Sequence, residues 1–483
     1  MRICILVEGS YPYVVGGVSA WLQMLISGMP EHEFIIYSIG AQEQTRGQFS
    51  YALPPNVVDV KELFLDSILR LKSPAAGRYK LHDDEKKNLE ALICGDAIDI
   101  VKLIGTFYGA QQKKNPMEIF MNFEFFDVLS EAYRKKFDYL PFTDYFWTLR
   151  SMLLPLFYLI CQELPEADLY HSVATGYCGA VGALASVHYQ KPFLVTEHGI
   201  YSREREEEII KCDWAKGEFK SLWIQYFYNL AKMTYDHASR VVTLFAKNAE
   251  IEAALGCDPA KIQIVPNGIR TERFAALPPP VRGKEALTVA AVVRIAPVKD
   301  IVTMLRSFYL VKQALPKTRF LIMGPCDEDA QYYESCRKLA DTLGISDLEF
   351  TGSVDVRSYL PQTDVLVLSS ISEGQPLAVI EGMAAARPFV CTDVGCCREL
   401  LHGEAGDTLG DAGVVVPVMD FEGLAEAIVR LAENEELRFR MGSIGRQRAL
   451  RDYTFEGFIS AYRAIYEAEA AEGRRKADGG HRI

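Results

Sequence analysis

Thr363-Asp-Val-Leu-Val-Leu-Ser-Ser-Ile-Ser-Glu373-Gly-Gln-Pro-Leu-Ala-Val-Ile-Glu381 is the stretch whose reading decides the fold. Its first part, Thr363 to Ser370, is apolar nearly throughout, as a strand buried in a parallel sheet must be. Its last part, Leu377 through Ala386, reads as a helix, with Pro376 suited to the first turn. A strand that feeds a helix through a short Gly-containing loop is the usual ligand-binding corner of an open α/β sheet. Glu373 then lies in the loop at a helix N-terminus, and Glu381 lies about one turn inside, at ~1.5 Å rise per residue. Two carboxylates staged in this way can grip two sets of hydroxyls along one elongated polyol.

The same strand–helix beat extends in both directions. Leu287 to Val293, Arg319 to Met323, Leu348 to Phe350, Pro388 to Thr392 and Gly413 to Val416 read as further strands of one series. Arg2 to Glu8, Glu33 to Ile39, Asp168 to Ser172, Phe193 to His198 and Arg240 to Thr243 read as an earlier one. Strands alternating with helices imply parallel sheets with right-handed crossovers. The expected architecture is α/β, with two Rossmann-like domains facing a cleft. The first covers 1–275 and the second 276–452, joined by a semi-rigid linker at Pro278-Pro-Pro280. From about 51 to 166 the beat stops, and long helical segments rich in aromatics (Phe120, Phe123, Phe125, Phe126) predict a helical insertion in the first domain. Residues 453–469 read as an amphipathic helix that packs back on the first domain, and 470–483 as a disordered tail.

Composition excludes several classes. The 483 residues suffice for two or three domains, and 49% hydrophobic with 24% charged residues is ordinary for a globular protein. A net charge of −12 argues against a general nucleic-acid binder, which needs clustered Lys and Arg. The basic-then-apolar start, Met1 to Val7, is cut short by Glu8 and Gly9 and reads as a strand, not a signal peptide. Met152 to Cys161 is too short to span a bilayer, so no transmembrane segment is expected. Eleven scattered cysteines without a Cys-x-x-Cys pair suggest reduced thiols and a cytoplasmic location.

The chemistry-bearing residues cluster at strand ends. Arg294 and Lys299 follow the first strand of the second series and are candidates for neutralising phosphate charge. Gly16 and Gly17 precede the first helix, where glycine lets backbone approach a ligand closely. His198 ends a strand, and either tautomer can donate to a hydroxyl. His171 is similar in setting and a weaker candidate, for the acceptor or a phosphate. Arg203 and Arg205 either bind an anionic acceptor or phosphate or pair with the neighbouring glutamates. The one Asp-x-Asp, Asp327-Glu-Asp329, reads as a solvated acidic loop, and no metal site is expected.

Taken together, the Ser372–Glu381 stretch, the Arg294/Lys299 pair and the Val265-Pro-Asn-Gly-Ile269 turn resemble retaining glycosyltransferase family 4, whose members have the GT-B fold. The resemblance covers Arg2 to about Gly40 and Asp168 to Tyr466. It implies that Glu373 and His198 contact the transferred sugar and that Glu381 takes the ribose. It also implies that Arg294 and Lys299 neutralise the diphosphate. Gly352 and Ser353 would read the base, and Gly16, Gly17, Gly374, Pro376 and Leu377 would complete donor binding. The implied reaction is retaining transfer from a UDP-sugar, UDP-glucose or UDP-N-acetylhexosamine, to a growing exopolysaccharide, with no metal or other cofactor. The insertion together with Glu197-His-Gly-Ile-Tyr201 resembles, more narrowly, the cytoplasmic transferases of bacterial Pel exopolysaccharide systems. That narrower likeness implies protein partners in a membrane polysaccharide synthase. A nucleotide-sugar epimerase on the same fold and a nucleotide-binding assembly subunit are the alternatives.

Overall fold

The computed structural model describes residues 1–71, 80–109, 112–113, 115–404 and 406–479. The chain divides into two compact units, Met1–Ile264 together with the chain from Tyr462, and Val265–Ala461. Each is built on one parallel sheet.

In the first unit the strands are β1 (Arg2–Glu8), β2 (Glu33–Gly40), β3 (Val57–Phe64), β6 (Leu169–Ser172), β7 (Phe193–Glu197), β8 (Arg240–Thr243) and β9 (Ile262–Ile264). A separate two-stranded hairpin pairs β4 (Tyr108–Gly109) with β5 (Gln112–Lys113). The sheet order is β3-β2-β1-β6-β7-β8-β9. The central strands are apolar runs because helices cover both faces, and Ile3 to Val7 are buried without a break. Strand order reverses between β1 and β6, so the loops leaving their C-terminal ends part from each other there. This is the place where open α/β sheets bind ligands.

The stretch expected to be a helical insertion contains the helices Asp83–Cys94, Ile100–Phe107, Pro116–Phe120, Phe123–Ala132 and Phe142–Ile160. Their apolar faces join the core of the first sheet, with Phe125, Leu129 and Phe157 fully buried. The aromatics divide by helix face: Phe120 and Phe125 go inside, whereas Phe123 and Phe126 stay exposed. One part of the expectation needs correcting, because Val57–Phe64 is a strand paired to β2 along its length. Asp59, Lys61 and Glu62 disguise it in the sequence. It is an edge strand, where charges are tolerated and discourage further pairing.

The second unit has the strands β10 (Thr288–Val292), β11 (Arg319–Met323), β12 (Leu348–Gly352), β13 (Val365–Leu368), β14 (Phe389–Thr392) and β15 (Gly413–Val416). They are all parallel, in the order β12-β11-β10-β13-β14-β15, and the reversal falls between β10 and β13. Fold class and the two-sheet division thus follow the sequence reading.

The boundaries do not. The second unit begins at Val265, ten residues or so before the expected junction. Ile269 bridges to Thr454, the Asn267 amide donates to Gln375 Oε1 at 2.5 Å, and Arg270 lies over the Phe455 ring. The proline run is likewise held within this unit, since Pro278 accepts a hydrogen bond from Arg387 at 3.1 Å. Short-range turn and linker signals cannot reveal pairings made across nearly two hundred residues.

The last helix, Phe455–Gly479, is longer than expected. It starts in the second unit, and from Tyr462 its residues belong to the first. The part expected to be disordered is helical through Gly479, because Ala, Glu, Lys and Arg are strong helix formers as well as common in disordered chains. Residues 480–483 lie outside the described residues.

Gly382 shows how tightly the helix Leu377–Ala384 lies on its sheet. A Cβ there would stand 2.4 Å from both Leu366 Cδ1 and Phe389 Cε2, two fully enclosed side chains. Alanine would gain about 1 kcal/mol of helix propensity, yet overpacking costs about 1–3 kcal/mol. Gly382→Ala is therefore expected to lower stability in urea unfolding by about 1 kcal/mol. An unchanged midpoint would mean that the helix floats free of the sheet.

Candidate active site

At the C-terminal ends of β10 and β13, the second unit brings together residues that are far apart in sequence. Lys299 Nζ lies 2.6 Å from Glu373 Oε1, and their side chains keep only 16% and 10% of their exposure. The same carboxylate oxygen accepts the Ser370 hydroxyl at 2.5 Å. Ser369, next in the loop, donates to the backbone carbonyls of Lys299 and Asp300 at 2.9 and 3.0 Å, tying the two loops together. Asp300 in turn caps the helix Ile301–Ala314 by accepting from the Thr303 amide.

Gly374 and Gln375 continue the loop, and Pro376 is the N-cap of the helix that begins at Leu377. Gln375 is nearly buried and is fixed by the Asn267 amide. The loop is backed by Gly395, whose φ of +52° suits glycine and whose added Cβ would meet Gly374 O at 2.1 Å. Glu381 sits in the helix, and burial pushes its carboxyl up to about 7.

Arg294 is half exposed and paired with Glu328. Asp329 is the N-cap of the helix Ala330–Leu343, accepting from the Tyr332 amide at 2.8 Å, so both of these acids in the Asp-Glu-Asp loop have structural partners. Gly352 closes β12 at φ +69° with open space around its α-carbon, and Ser353 follows it.

In the first unit, the ends of β1 and β7 carry the other predicted residues. Gly16 is the N-cap and Gly17 the first residue of the helix Gly17–Ser27, at its exposed start, with nothing within 4 Å of either α-carbon's missing substituent. Free N–H groups at such a terminus suit an anion. His198 follows β7 directly. Its ring packs edge-on against Trp21, centroid to centroid 4.5 Å, and its Nε2 has no hydrogen-bond partner among the described residues. Burial pushes its pKa down to about 4, so the ring is neutral at physiological pH.

His171 is not available to a ligand. It is fully buried, Nδ1 lies 2.8 Å from Tyr466 Oη and Nε2 lies 2.8 Å from Thr196 Oγ1, so both ring nitrogens are engaged. This is a correction to the expected acceptor role, and its cause is the last helix, whose Tyr462 and Tyr466 cover β6 and β7. Arg205 pairs with Glu208 at 3.0 Å and lies over the Tyr201 ring, which favours the intrahelical alternative for this residue. Arg203 is exposed beside Tyr228.

Several site residues had escaped the sequence reading. Glu8, at the end of β1, accepts from the Tyr177 amide at 2.9 Å and the Tyr201 hydroxyl at 2.8 Å. Glu197 points away from His198, as strand alternation predicts, but it shapes the corner. Its Oε1 accepts from Thr175 at 3.0 Å and from the Tyr201 amide at 3.2 Å, closing the turn that carries His198. Tyr235 donates to its other oxygen. The available signal was an acid at the C-terminal end of each strand, which is a weak one.

Glu252, fully enclosed on the helix Ala246–Ala254, completes a buried acidic pair with Glu197. Burial raises both carboxyls above the ordinary glutamate range, and the charge of Glu197 raises Glu252 further. Carboxyls shifted this way are held protonated in the fold. Their contribution is complete below the unfolded pKa of about 4.3 and is lost as pH rises through the folded value. Buried His171 and His198 act with the opposite sign, but only below about pH 6.5. The melting temperature is therefore expected to fall between about pH 7 and about pH 8. Glu252→Gln should flatten that slope in a calorimetric pH series, and an unaltered slope would remove the pair as its source.

Residues 1–260 match the family described as "Domain of unknown function (DUF3492)", and residues 285–434 match the family described as "Glycosyl transferases group 1". The chain is 24% identical over 314 residues to an MMP alpha-(1->4)-mannosyltransferase of Mycolicibacterium hassiacum, covering 63% of this chain and 72% of the relative. It is 26% identical over 301 residues to the UDP-Gal:alpha-D-GlcNAc-diphosphoundecaprenol alpha-1,3-galactosyltransferase of Escherichia coli, covering 59% and 71%. Among solved structures, sucrose-phosphate synthase from Thermosynechococcus elongatus aligns with a TM-score of 0.60 at 16% identity, over 98% of this chain and 100% of that one. Anabaena HepE in complex with UDP aligns at 0.61 and 13%, over 97% and 100%. These structural likenesses carry the fold, which is GT-B. No helix among the described residues is long and apolar enough to cross a membrane. The chain belongs to the family described as "Domain of unknown function (DUF3492)", and the glycosyltransferase group 1 domain in its second unit makes it a glycosyltransferase.

Proposed function

We propose that this protein is a retaining hexosyltransferase that moves a sugar from a UDP-sugar, UDP-glucose or UDP-N-acetylhexosamine, to a growing exopolysaccharide chain. The observation that carries the reading is the Lys299–Glu373 pair, held at 2.6 Å where strand order reverses in the glycosyltransferase group 1 domain. A cation and an acid poised together at a switch point suit a ligand that is anionic at one end and a polyol at the other. The mannosyl- and galactosyltransferase relatives support a hexose as the cargo.

In this reading Lys299 and Arg294 meet the diphosphate, and Arg294 exchanges Glu328 for it. Glu373 takes hydroxyls of the transferred sugar and Glu381 takes the ribose hydroxyls. Gly352 and Ser353 lie along the base, while Gly374 and Leu377 present backbone N–H groups at a helix start whose entry Pro376, with no N–H of its own, fixes. Gly16 and Gly17 offer the same kind of terminus. His198, being neutral, donates Nε2–H to a sugar hydroxyl.

The bond from the anomeric carbon to the β-phosphate oxygen breaks with its electron pair going to that oxygen. The acceptor hydroxyl attacks from the same face, and its proton passes to the departing phosphate. Growing negative charge on the diphosphate is what the two cations stabilise, and such preorganised charge is usually the largest catalytic contribution. No metal takes part in this scheme. The resemblance further supports a role as the transferase of a Pel-type exopolysaccharide system, cytoplasmic and held at a membrane polysaccharide synthase through protein partners.

Calorimetric titration with UDP-, GDP- and ADP-sugars tests the donor assignment. UDP-glucose or a UDP-N-acetylhexosamine is expected to bind, with Lys299→Ala weakening it by about tenfold, as the loss of one charge-assisted contact implies. Selective binding of a GDP- or ADP-sugar, or full affinity in the variant, would reject it.

Glu381 adds a pH signature. Its carboxyl near 7 must ionise to accept two ribose hydroxyls, so UDP-glucose affinity is expected to rise from about pH 6 to about pH 8. Glu381→Gln should remove that dependence. A rise that persists in the variant would take the ribose away from Glu381.

A further inference from the structure

Three of the four tryptophans in the chain line one groove of about 480 Å³ in the first unit. The fourth, Trp21, is the buried neighbour of His198. Trp147 comes from the helix Phe142–Ile160, Trp214 from the turn before the helix Glu218–His237, and Trp223 from that helix. Trp147 is 54% and Trp214 65% exposed, which is unusual for the largest apolar side chain. The groove is nevertheless built. Trp223 is stacked on Phe227 from behind, and Trp214 stands at 88° to Trp223 with centroids 5.2 Å apart. Arg150 holds its guanidinium 5.6 Å from the Trp147 ring.

Polar groups are interleaved with these rings. Asp144 and Ser151 stand one turn before and one turn after Trp147 on the same helix face, and Lys216 follows Trp214 by two residues. That mixture decides what fits. An apolar protein helix laid into the groove would strip water from Asp144 and Lys216 without pairing them, at a cost of kcal/mol order for each. A sugar ring has an apolar C–H face for an indole and a rim of hydroxyls for a carboxylate, an ammonium and a serine. The volume lies within the range of about 300–1,000 Å³ usual for small-ligand sites.

The geometry points to a second carbohydrate-binding site, which holds the body of the acceptor glycan away from the reacting end. This deepens the proposed function and rests on its reading of the acceptor as a glycan. The helix Tyr201–Lys211 connects the two places. It begins at the His198 corner and ends at the turn that carries Trp214, about 16 Å further along at ~1.5 Å per residue. A short oligosaccharide spans such a distance. Retaining the chain there would keep it from diffusing away between additions.

Tryptophan fluorescence tests the site with oligosaccharides of glucose, of N-acetylglucosamine and of N-acetylgalactosamine, beside calorimetry with UDP-glucose on the same full-length samples. At least one oligosaccharide series is expected to change the emission saturably. Trp147→Ala and Trp214→Ala, both at exposed positions, should each weaken that binding by about tenfold, the size of one lost stacking contact. UDP-glucose affinity should stay within about twofold. Asp144→Asn provides a second reading that leaves every indole in place, and it too should weaken the oligosaccharide. Oligosaccharide binding that is indifferent to all three variants would overturn the groove as its location. The absence of binding by every series while UDP-glucose still binds would overturn the second site and leave the donor reading standing. Oligosaccharide binding without any UDP-sugar binding would keep the site and reject the donor reading. Binding to anionic phospholipid vesicles in place of oligosaccharides, lost in Trp147→Ala and Trp214→Ala, would reassign the groove to a membrane surface.

Discussion

A parallel sheet delivers all its strands to one edge, and that constraint organises everything else here. Each strand must return through a helix, so the loops at the C-terminal ends are free to differ while the body of the sheet is closed on both faces. Where strand order reverses, adjacent loops part and leave a hollow. The second unit uses this hollow to set Lys299 against Glu373, and in the first unit His198 packs on Trp21 of the helix that Gly16 and Gly17 open. Neither arrangement depends on an unusual residue. Both depend on which strands lie next to each other, β10 beside β13 in one sheet and β1, β6 and β7 in a row in the other.

The charged groups at these corners are held in unlike ways, and burial explains the difference. Lys299 and Glu373 are largely removed from water and therefore need each other, with Ser370 adding a donor to the same oxygen. Arg294 remains half exposed and keeps only a solvent-screened partner in Glu328, so it is the easier group to redirect. Glu381 has little water and its carboxyl rises accordingly. In the first unit His171 and His198 end as opposites although both follow strand sequences of the same look. One is sealed beneath Tyr462 and Tyr466 with both nitrogens used, and the other keeps Nε2 free of protein partners among the described residues.

The insertion shows how one composition serves two ends. Its aromatic residues face both ways, some completing the core of the first sheet and others standing in water, among them Trp147 at the rim of a groove that also holds an acid, a serine and a lysine. Only the helix phase separates the two groups. Phe125 and Phe126 are neighbours in sequence and differ from fully buried to exposed.

The strand–loop–helix corners were legible in the sequence because they are local. An apolar run, a Gly-Gln-Pro loop and a helix with Glu373 and Glu381 in register need only period and propensity to be read. The resemblance implied that Lys299 and Glu373 serve one donor, but their direct pairing came from the packing of two strands that are not consecutive. What only the tertiary structure decided is long-range: the charged edge strand Val57–Phe64, the junction at Val265 and the satisfied nitrogens of His171. To these it adds the acidic pair Glu197–Glu252 and the gathering of Trp147, Trp214 and Trp223. Each of these depends on contacts between segments tens to hundreds of residues apart, and such contacts are selected by the free energy of the whole packed core, which no local window of sequence contains.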